Sequence, residues 1–303
     1  MDIALTLVVN PEYGTSLKAA EEAALDTLGL KASNHVNLCK DRASDFIFPG
    51  TNTDAGESSL PIKASLQDVL DTTEGLDWAV QPALGRRKKL LLADMDSTMI
   101  TVECIDELAD FIGLKAEVSL ITEAAMRGEL DFEAALTERV ALLKGLSTEK
   151  LAACYTDRIK LMSGARTLVQ TMKAHGAYSA LVSGGFTYFT EKVAAMIGFD
   201  MNRANVLGLE LGALTGEIVP PICGAQTKLD TLDQLAATQN LVSDQILAVG
   251  DGANDIPMIK AAGLGIAYRA KPITRAAAHA AVNYGDLTTL LYFQGYSEGD
   301  FAS

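Results

Sequence analysis

The sequence predicts an α/β protein, a parallel sheet covered on both faces by helices and preceded by a smaller α+β unit. Three observations carry that expectation. Continuous apolar runs at Leu90–Ala93, Tyr178–Val182, Ile246–Val249 and Leu264–Ala267 have the texture of strands buried on both faces. Helical patterns separate them, such as Ala165–His175 closed by Gly176, and that alternation means a parallel sheet. Ahead of them, residues 1–84 read β-α-β-β-α-β, the split ferredoxin-like order.

In the N-terminal unit Ile3–Val9 is a strand. Leu17, Ala20, Ala24 and Leu28 recur at helical spacing, and Gly29 supplies a stop. Val36–Cys39 and Asp45–Phe48 are short strands. Pro49 to Pro61 is rich in Thr, Asn, Gly and Ser and reads as a loop. Leu66, Val69 and Leu70 mark a second helix and Trp78–Val80 a last strand. The basic run Gly85–Lys89 is a solvated connector, so the expected domains are 1–84 and 85–303. Within the second, Thr101 to Lys160 is an almost wholly helical insertion with turns at Gly113, Gly128–Asp131 and Gly145. Ala204 to Val219, with alternating apolar residues, Gly212 and Gly216, is a small β-hairpin insertion.

The chain has 303 residues, which suits about two domains. Its 49% hydrophobic and 21% charged residues supply a real core and rule out wholesale disorder. With 25 basic and 39 acidic residues the formal charge is −14. Such a chain repels phosphate backbones and anionic lipid, so neither nucleic acid nor a membrane is an expected partner. A small anionic substrate remains compatible, because a local cluster of Lys, Arg and metal overrides the global field. The four cysteines lie far apart without a C-x-x-C pair, which suits a reducing, cytoplasmic compartment. No H-E-x-x-H or G-x-S-x-G pattern is present. The N-terminus lacks the basic start of a secretion signal. An oligomer is left open.

Four motifs carry chemistry. Asp94-Met-Asp96-Ser-Thr98 follows the first buried strand, where open α/β sheets bind ligands. Two carboxylates there repel each other and are costly to desolvate, and a cation relieves both problems. Oxygen ligands on a tight loop suit Mg²⁺ better than zinc. By itself the motif could equally be a polar turn. Gly250-Asp251-Gly-Ala-Asn254-Asp255 brings two more carboxylates to the same edge, or is a turn with Asn254 or Asp255 capping a helix. Ser183-Gly184-Gly185, before a helical stretch, offers a hydroxyl, backbone N–H groups and a helix N-terminus to an anion. Lys228 stands on a stretch that begins near Gly224; alone, a lysine there is ordinary surface.

Taken together and in this order, the four patterns resemble the haloacid dehalogenase (HAD) superfamily of phosphatases over about residues 88–295. The resemblance implies a HAD-like Rossmannoid sheet with a helical cap at about 101–160. Asp94 and Asp96 match its D-x-D-x-T loop, Ser183 its phosphate-binding hydroxyl, Lys228 its lysine, and Asp251 with Asp255 its acidic metal motif. Within that superfamily the chain is similar to the phosphoserine phosphatase family. Glu103 falls on the glutamate at the cap edge, Arg139 on the arginine for the substrate carboxylate, and Phe132 on the cap phenylalanine. Met95 stands where Phe is commoner, and no residue with a catalytic role departs from the pattern. Some relatives carry ACT-type domains at their N-termini, which is compatible with residues 1–84 by fold analogy only.

What the resemblance implies is hydrolysis of L-phosphoserine, the last step of serine biosynthesis. Asp94 would be the nucleophile and Asp96 the general acid and base. One Mg²⁺ would be held by the Asp94 and Asp251 carboxylates and the Asp96 carbonyl, with Asp255 as a direct or supporting ligand. Ser183, Gly184 and Lys228 would bind phosphoryl oxygens, with Asn254 beside them. Glu103 would pair with the substrate ammonium, Arg139 with its carboxylate, and Met126 with Phe132 would form an apolar wall. Two other readings stand beside it: a related HAD phosphatase or phosphotransferase acting on another small phosphorylated amino acid or a sugar phosphate, and an amino-acid sensor with a vestigial core.

Overall fold

The computed structural model describes residues 1–50 and 55–302. Its elements run β1 (Ile3–Val9), α1 (Leu17–Leu28), β2 (Asn34–Cys39), β3 (Ala43–Phe48), α2 (Ala55–Leu70), β4 (Leu76–Pro82) and β5 (Leu90–Ala93). Four helices follow, α3 (Cys104–Asp110), α4 (Lys115–Met126), α5 (Phe132–Leu142) and α6 (Thr148–Arg158). Then come α7 (Ala165–Ala174), β6 (Tyr178–Phe186), α8 (Thr187–Ile197) and the strands β7 (Met201–Glu210) and β8 (Ala213–Val219). The chain closes with α9 (Ala225–Thr238), β9 (Ile246–Gly250), α10 (Ile256–Ala261), β10 (Leu264–Tyr268), α11 (Pro272–Ala277), β11 (Ala280–Val282) and α12 (Thr289–Phe293).

The strands join in one sheet of order β2-β3-β1-β4-β11-β10-β9-β5-β6-β7-β8. The neighbours β11 through β7 pair in parallel, as two-sided apolar runs require. Chain order reverses around β5, which has β6 on one side and β9 on the other. That is the switch point at which α/β sheets form their ligand crevice.

At the N-terminal end of the sheet, β1 pairs antiparallel with both β3 and β4. Leu5, Leu7 and Val9 alternate onto the face covered by Leu17 and Ala24 of α1 and Leu66 and Leu70 of α2. Burying two leucines of α2 completely stabilises it by about 2 kcal/mol each. The expected loop from Pro49 to Pro61 is therefore corrected: α2 begins at Ala55 and carries Pro61 inside it, while residues 51–54 lie outside the described residues. Turn-rich composition reports local preference, whereas the packing of Leu66 and Leu70 decides the outcome. Pro61 removes one N–H from the helical ladder without ending it.

The four helices α3–α6 leave the sheet after β5 and return before β6. Their base is closed by backbone bonds from Thr101 N–H to the Lys160 carbonyl at 3.0 Å and from Met162 N–H to the Met99 carbonyl at 2.9 Å. Their far end is tied to the β7–β8 hairpin: Gly145 N–H donates to the Leu214 carbonyl and Leu214 N–H to the Leu146 carbonyl, both at 2.8 Å. Gly113, Gly128 and Gly145 all have positive φ, so the turns read from the sequence fall between these helices.

Within the sheet the antiparallel and parallel ends pair through Trp78–Ala281 of β4 and β11, and Val8, Leu38, Ala43 and Ala79 extend the junction into the large apolar cluster. Asp77 reinforces that junction. Its buried carboxylate accepts the N–H groups of Asn283 at 2.7 Å, Gly285 at 2.6 Å and Tyr284 at 3.2 Å. Replacing Asp77 by Ala leaves those donors without partners, and urea unfolding is expected to show a loss of about 3 kcal/mol. Asp77→Asn keeps one acceptor oxygen and should lose about half as much. A loss no larger than that of an exposed substitution would contradict this role for the junction.

Candidate active site

Register places the site. Ala93 lies opposite Val249 on one side and Leu181 on the other. The residues just past these register positions therefore emerge together: Asp94, Asp251 and, still within β6, Ser183. Asp94 N–H continues the ladder to the Val249 carbonyl at 3.0 Å. The chain then folds tightly around the Met95 carbonyl, which accepts from Thr98 at 3.2 Å, Met99 at 2.8 Å and Ile100 at 3.0 Å. Ser97 takes a left-handed φ of 54° there, a conformation that costs energy for a residue with a Cβ and concentrates at functional sites. Its hydroxyl donates to the Glu103 carboxylate.

Asp94, Asp251 and Asp255, all buried, bring one carboxylate oxygen each within 4.8 Å of one another. Lys228, wholly buried, lies between two of them, its Nζ 2.8 Å from Asp94 Oδ1 and 2.6 Å from Asp255 Oδ1. The Asp255 pair has hydrogen-bond geometry, whereas the Asp94 contact lacks it, so Asp94 Oδ1 is a buried acceptor with no hydrogen-bond donor. Asp255 is otherwise satisfied, because its Oδ2 accepts from the N–H groups of Asp251 and Gly252, both at 3.1 Å. It thus ties the glycine-rich loop together rather than capping α10. Thr98 Oγ1 donates to Asp251 Oδ1 at 3.2 Å.

The electrostatics follow from burial. Desolvation, and then the neighbouring Asp255, push Asp94 up to about 7. Desolvation raises Asp251 well above the usual carboxylate range, with Glu103 next in effect. Burial carries Asp96 up to about 6, partly offset by hydrogen bonding from Cys104. Glu103 rises to about 8 through burial and the Asp96 charge. Lys228 is raised despite its burial because two carboxylates face it. One ammonium does not balance three carboxylates. Three buried carboxylates that share one ammonium form an all-oxygen donor set that fits a hard divalent cation such as Mg²⁺.

Across the crevice the helical insertion supplies an opposing wall. Asp94, Asp96, Glu103, Arg139, Ser183, Gly184, Asp251 and Asn254 all line one cleft, with Met126 and Phe132 beside them. Every residue singled out from the sequence is thereby brought together, Lys228 through its contacts with Asp94 and Asp255. Ser183 differs in one detail. Strand β6 continues to Phe186 and α8 starts only at Thr187, so the helix N-terminus lies beyond the Ser-Gly-Gly turn. What the turn offers is the Ser183 hydroxyl and backbone N–H groups, and the Gly185 N–H already donates to Ser183 Oγ at 2.9 Å.

Arg139 is 4% exposed, yet no carboxylate pairs with it among the described residues. Its Nε donates to the Ala135 carbonyl at 3.0 Å and its Nη1 to Thr122 Oγ1 at 2.8 Å. Thr122 in turn donates to Asp106 Oδ1 at 2.7 Å, and Ser119 to Asp106 Oδ2 at 2.7 Å. A buried guanidinium with spare donors facing a cleft is a receptor for an anion. Thr122 and Asp106 escaped the sequence reading because no spacing sets them apart from other polar residues on a helix, and Ser97, though inside the Asp94–Thr98 motif, has no role of its own in that reading. Between the two walls, Lys271 Nζ reaches Glu123 Oε2 at 2.7 Å, and the Lys271 N–H donates to the Asp251 carbonyl at 3.1 Å.

The profile of the haloacid dehalogenase-like hydrolases matches residues 91–260. The phosphoserine phosphatase of Albidiferax ferrireducens is 46% identical over 208 residues, which is 67% of this chain and 88% of that protein. A HAD-family hydrolase from Salmonella enterica serovar Typhi superposes with a TM-score of 0.80 at 30% identity, over 96% of this chain and 98% of its own. A phosphoserine phosphatase solved as an analogue of its phospho-aspartyl intermediate superposes with a TM-score of 0.66 at 40% identity, over 68% of this chain and 98% of its own.

If the carboxylate cluster holds a cation, Mg²⁺ stabilises the fold by mass action. Its addition should raise the thermal midpoint by about 2 °C or more at saturating concentration. Asp251→Asn, which withdraws one charged oxygen, should abolish that rise. An equal rise in both proteins would place the ion elsewhere.

Proposed function

The chain belongs to the haloacid dehalogenase-like hydrolases, and within them to the phosphoserine phosphatases, and we propose that it hydrolyses L-phosphoserine to L-serine and inorganic phosphate through an aspartyl-phosphate on Asp94. That is the last step of serine biosynthesis. The observation that carries the reading is the pairing of two unlike receptors across one cleft. A carboxylate cluster with one lysine stands on the sheet side. An unpaired buried arginine stands beside Glu103 on the helical side. A substrate with a phosphate at one end and an α-amino acid at the other complements both.

In the first half-reaction an Asp94 carboxylate oxygen attacks phosphorus, and the bond to the serine oxygen breaks. Asp96 gives its proton to that departing oxygen; its raised pKa of about 6 supports a proton donor close to neutrality. In the second half-reaction Asp96, now a carboxylate, takes a proton from water as the water oxygen attacks phosphorus. The Asp94–phosphate bond breaks and both carboxyl groups return to their starting states. Ser183, the Gly184 N–H and Lys228 offer donors to the phosphoryl oxygens, and Asn254 lies beside them.

Asp94 and Asp251, with the Asp96 carbonyl, would hold Mg²⁺, which when bound neutralises negative charge between carboxylate and phosphoryl oxygens. Asp255 suits an orienting role, since both its oxygens already accept bonds from the protein. Glu103 would take the substrate ammonium and Arg139 its carboxylate, with the apolar Met126 and Phe132 limiting water.

We take residues 1–84 as one domain, with its own apolar cluster, and 85–303 as the phosphatase domain bearing the helical cap at about 101–160 and the hairpin at about 204–219. Four unpaired cysteines support a reducing, cytoplasmic setting. No helix among the described residues is long and apolar enough to cross a membrane. The substrate is a small molecule, and the net charge of −14 disfavours nucleic acid.

Phosphoethanolamine keeps the phosphate and ammonium but lacks the carboxylate. Its kcat/KM should fall short of that for phosphoserine by about a hundredfold, the value of one charge-assisted pair left unmade. Arg139→Ala should reduce that ratio to near one. Equal specificity constants in the wild-type protein would remove Arg139 from substrate recognition.

A further inference from the structure

One buried side chain outside the cleft joins its parts. Asn205, on β7, has no exposed surface. Its Nδ2 donates to the Gly184 carbonyl at 2.8 Å and to the Cys223 carbonyl at 3.2 Å, and its Oδ1 accepts from Cys223 N–H at 2.6 Å. Gly184 follows the Ser183 hydroxyl. Cys223 precedes Gly224, the N-cap of α9, which carries Lys228. A single amide therefore spans the two loops that carry the phosphate donors.

Both segments approach the helical cap at the ring of Phe132. A Cβ on Gly184 would lie 2.6 Å from Phe132 Cζ, and a Cβ on Gly224 3.3 Å from Phe132 Cδ1. Gly184 and Gly224 both lie outside the left-handed region, Gly224 at φ −117°. At these positions the absence of a side chain is explained by the ring and not by backbone conformation. The ring itself is fixed from the other side. Phe132 opens α5, whose start is held by Asp131 Oδ1 accepting from Ala134 N–H at 2.8 Å.

We propose that Asn205 is a positioning residue whose amide sets the width of a slot between Gly184 and Gly224, and that Phe132 keys into this slot to seat the cap over the phosphate site. The inference rests on the phosphoserine phosphatase reading and deepens it. One strut fixes both the spacing of the phosphate donors and the closed position of the wall that carries Arg139. Losing either the strut or the key leaves the same defect, a cap that no longer registers with the phosphate loop. A purely structural asparagine would hold its loops whatever residue 132 is.

A double-mutant cycle on kcat/KM for phosphoserine separates these cases. Asn205→Ala and Phe132→Ala are each expected to lower it by about tenfold or more, with the double variant within about threefold of the worse single one. Gly224→Ala leaves the Asn205 bonds in place and crowds the ring. It should cost about fivefold with Phe132 present and nothing further in the Phe132→Ala background. Losses that multiply in both cycles would overturn the proposal, as would full activity in Phe132→Ala. Should Asn205→Ala fail to fold, the Gly224 cycle decides alone. A wild-type protein that does not hydrolyse phosphoserine would instead sink the functional reading on which the proposal stands.

Discussion

Asp94, Asp251 and Asp255 crowd their oxygens within 4.8 Å in a place nearly closed to water, with one ammonium among them. Burying like charges together is costly, and removing one partner of such a cluster strands the others. Much of the surrounding architecture serves to hold these groups where they do not wish to be. The parallel register of β5 and β9 delivers Asp94 and Asp251 side by side. Asp255 uses both of its oxygens to bind Lys228 and its own loop. The tight turn around the Met95 carbonyl accepts a left-handed serine. The unbalanced negative charge at the centre makes a divalent cation, and then a phosphate, favourable occupants.

In the proposed reading, recognition is divided between the two walls of the cleft. On the sheet side the strands are buried on both faces and the segments that follow are hydrogen-bonded to each other. The helical wall joins the sheet through two chain crossings at its base and through the turn that touches the β7–β8 hairpin. Its buried polar groups are supported internally: Arg139 leans on Thr122, and Thr122 on Asp106. Specificity then depends on how the two walls register, which is where the Lys271–Glu123 pair and the Phe132 ring lie. Exposed ion pairs of the first kind contribute little by themselves, so the ring and its slot are the stronger constraint.

The sequence made the sheet legible because two-sided burial writes itself as unbroken apolar runs, and Leu90–Ala93 and Ile246–Val249 fall where they were expected. The acidic and glycine-rich motifs were legible for the same reason, as they follow those runs directly. Residues 55–61 were misread because Gly, Ser and Pro describe local preference, while the burial of Leu66 and Leu70 against α1 is a tertiary fact. Asn205 was invisible for a related reason. Its partners lie about twenty residues away on either side, and only the folded sheet brings both loops to one amide. Thr122 is likewise one hydroxyl on a helix until Arg139 is packed against it.

In the proposed mechanism the Asp94 carboxylate itself bonds to phosphorus. The most direct measurement is to quench the protein during turnover of ³²P-labelled phosphoserine, digest it under acidic conditions and locate the label. Label is expected on the peptide containing Asp94, and none in an Asp94→Asn variant that keeps its fold. Label on a peptide lacking residue 94, or undiminished turnover by that variant, would contradict the mechanism.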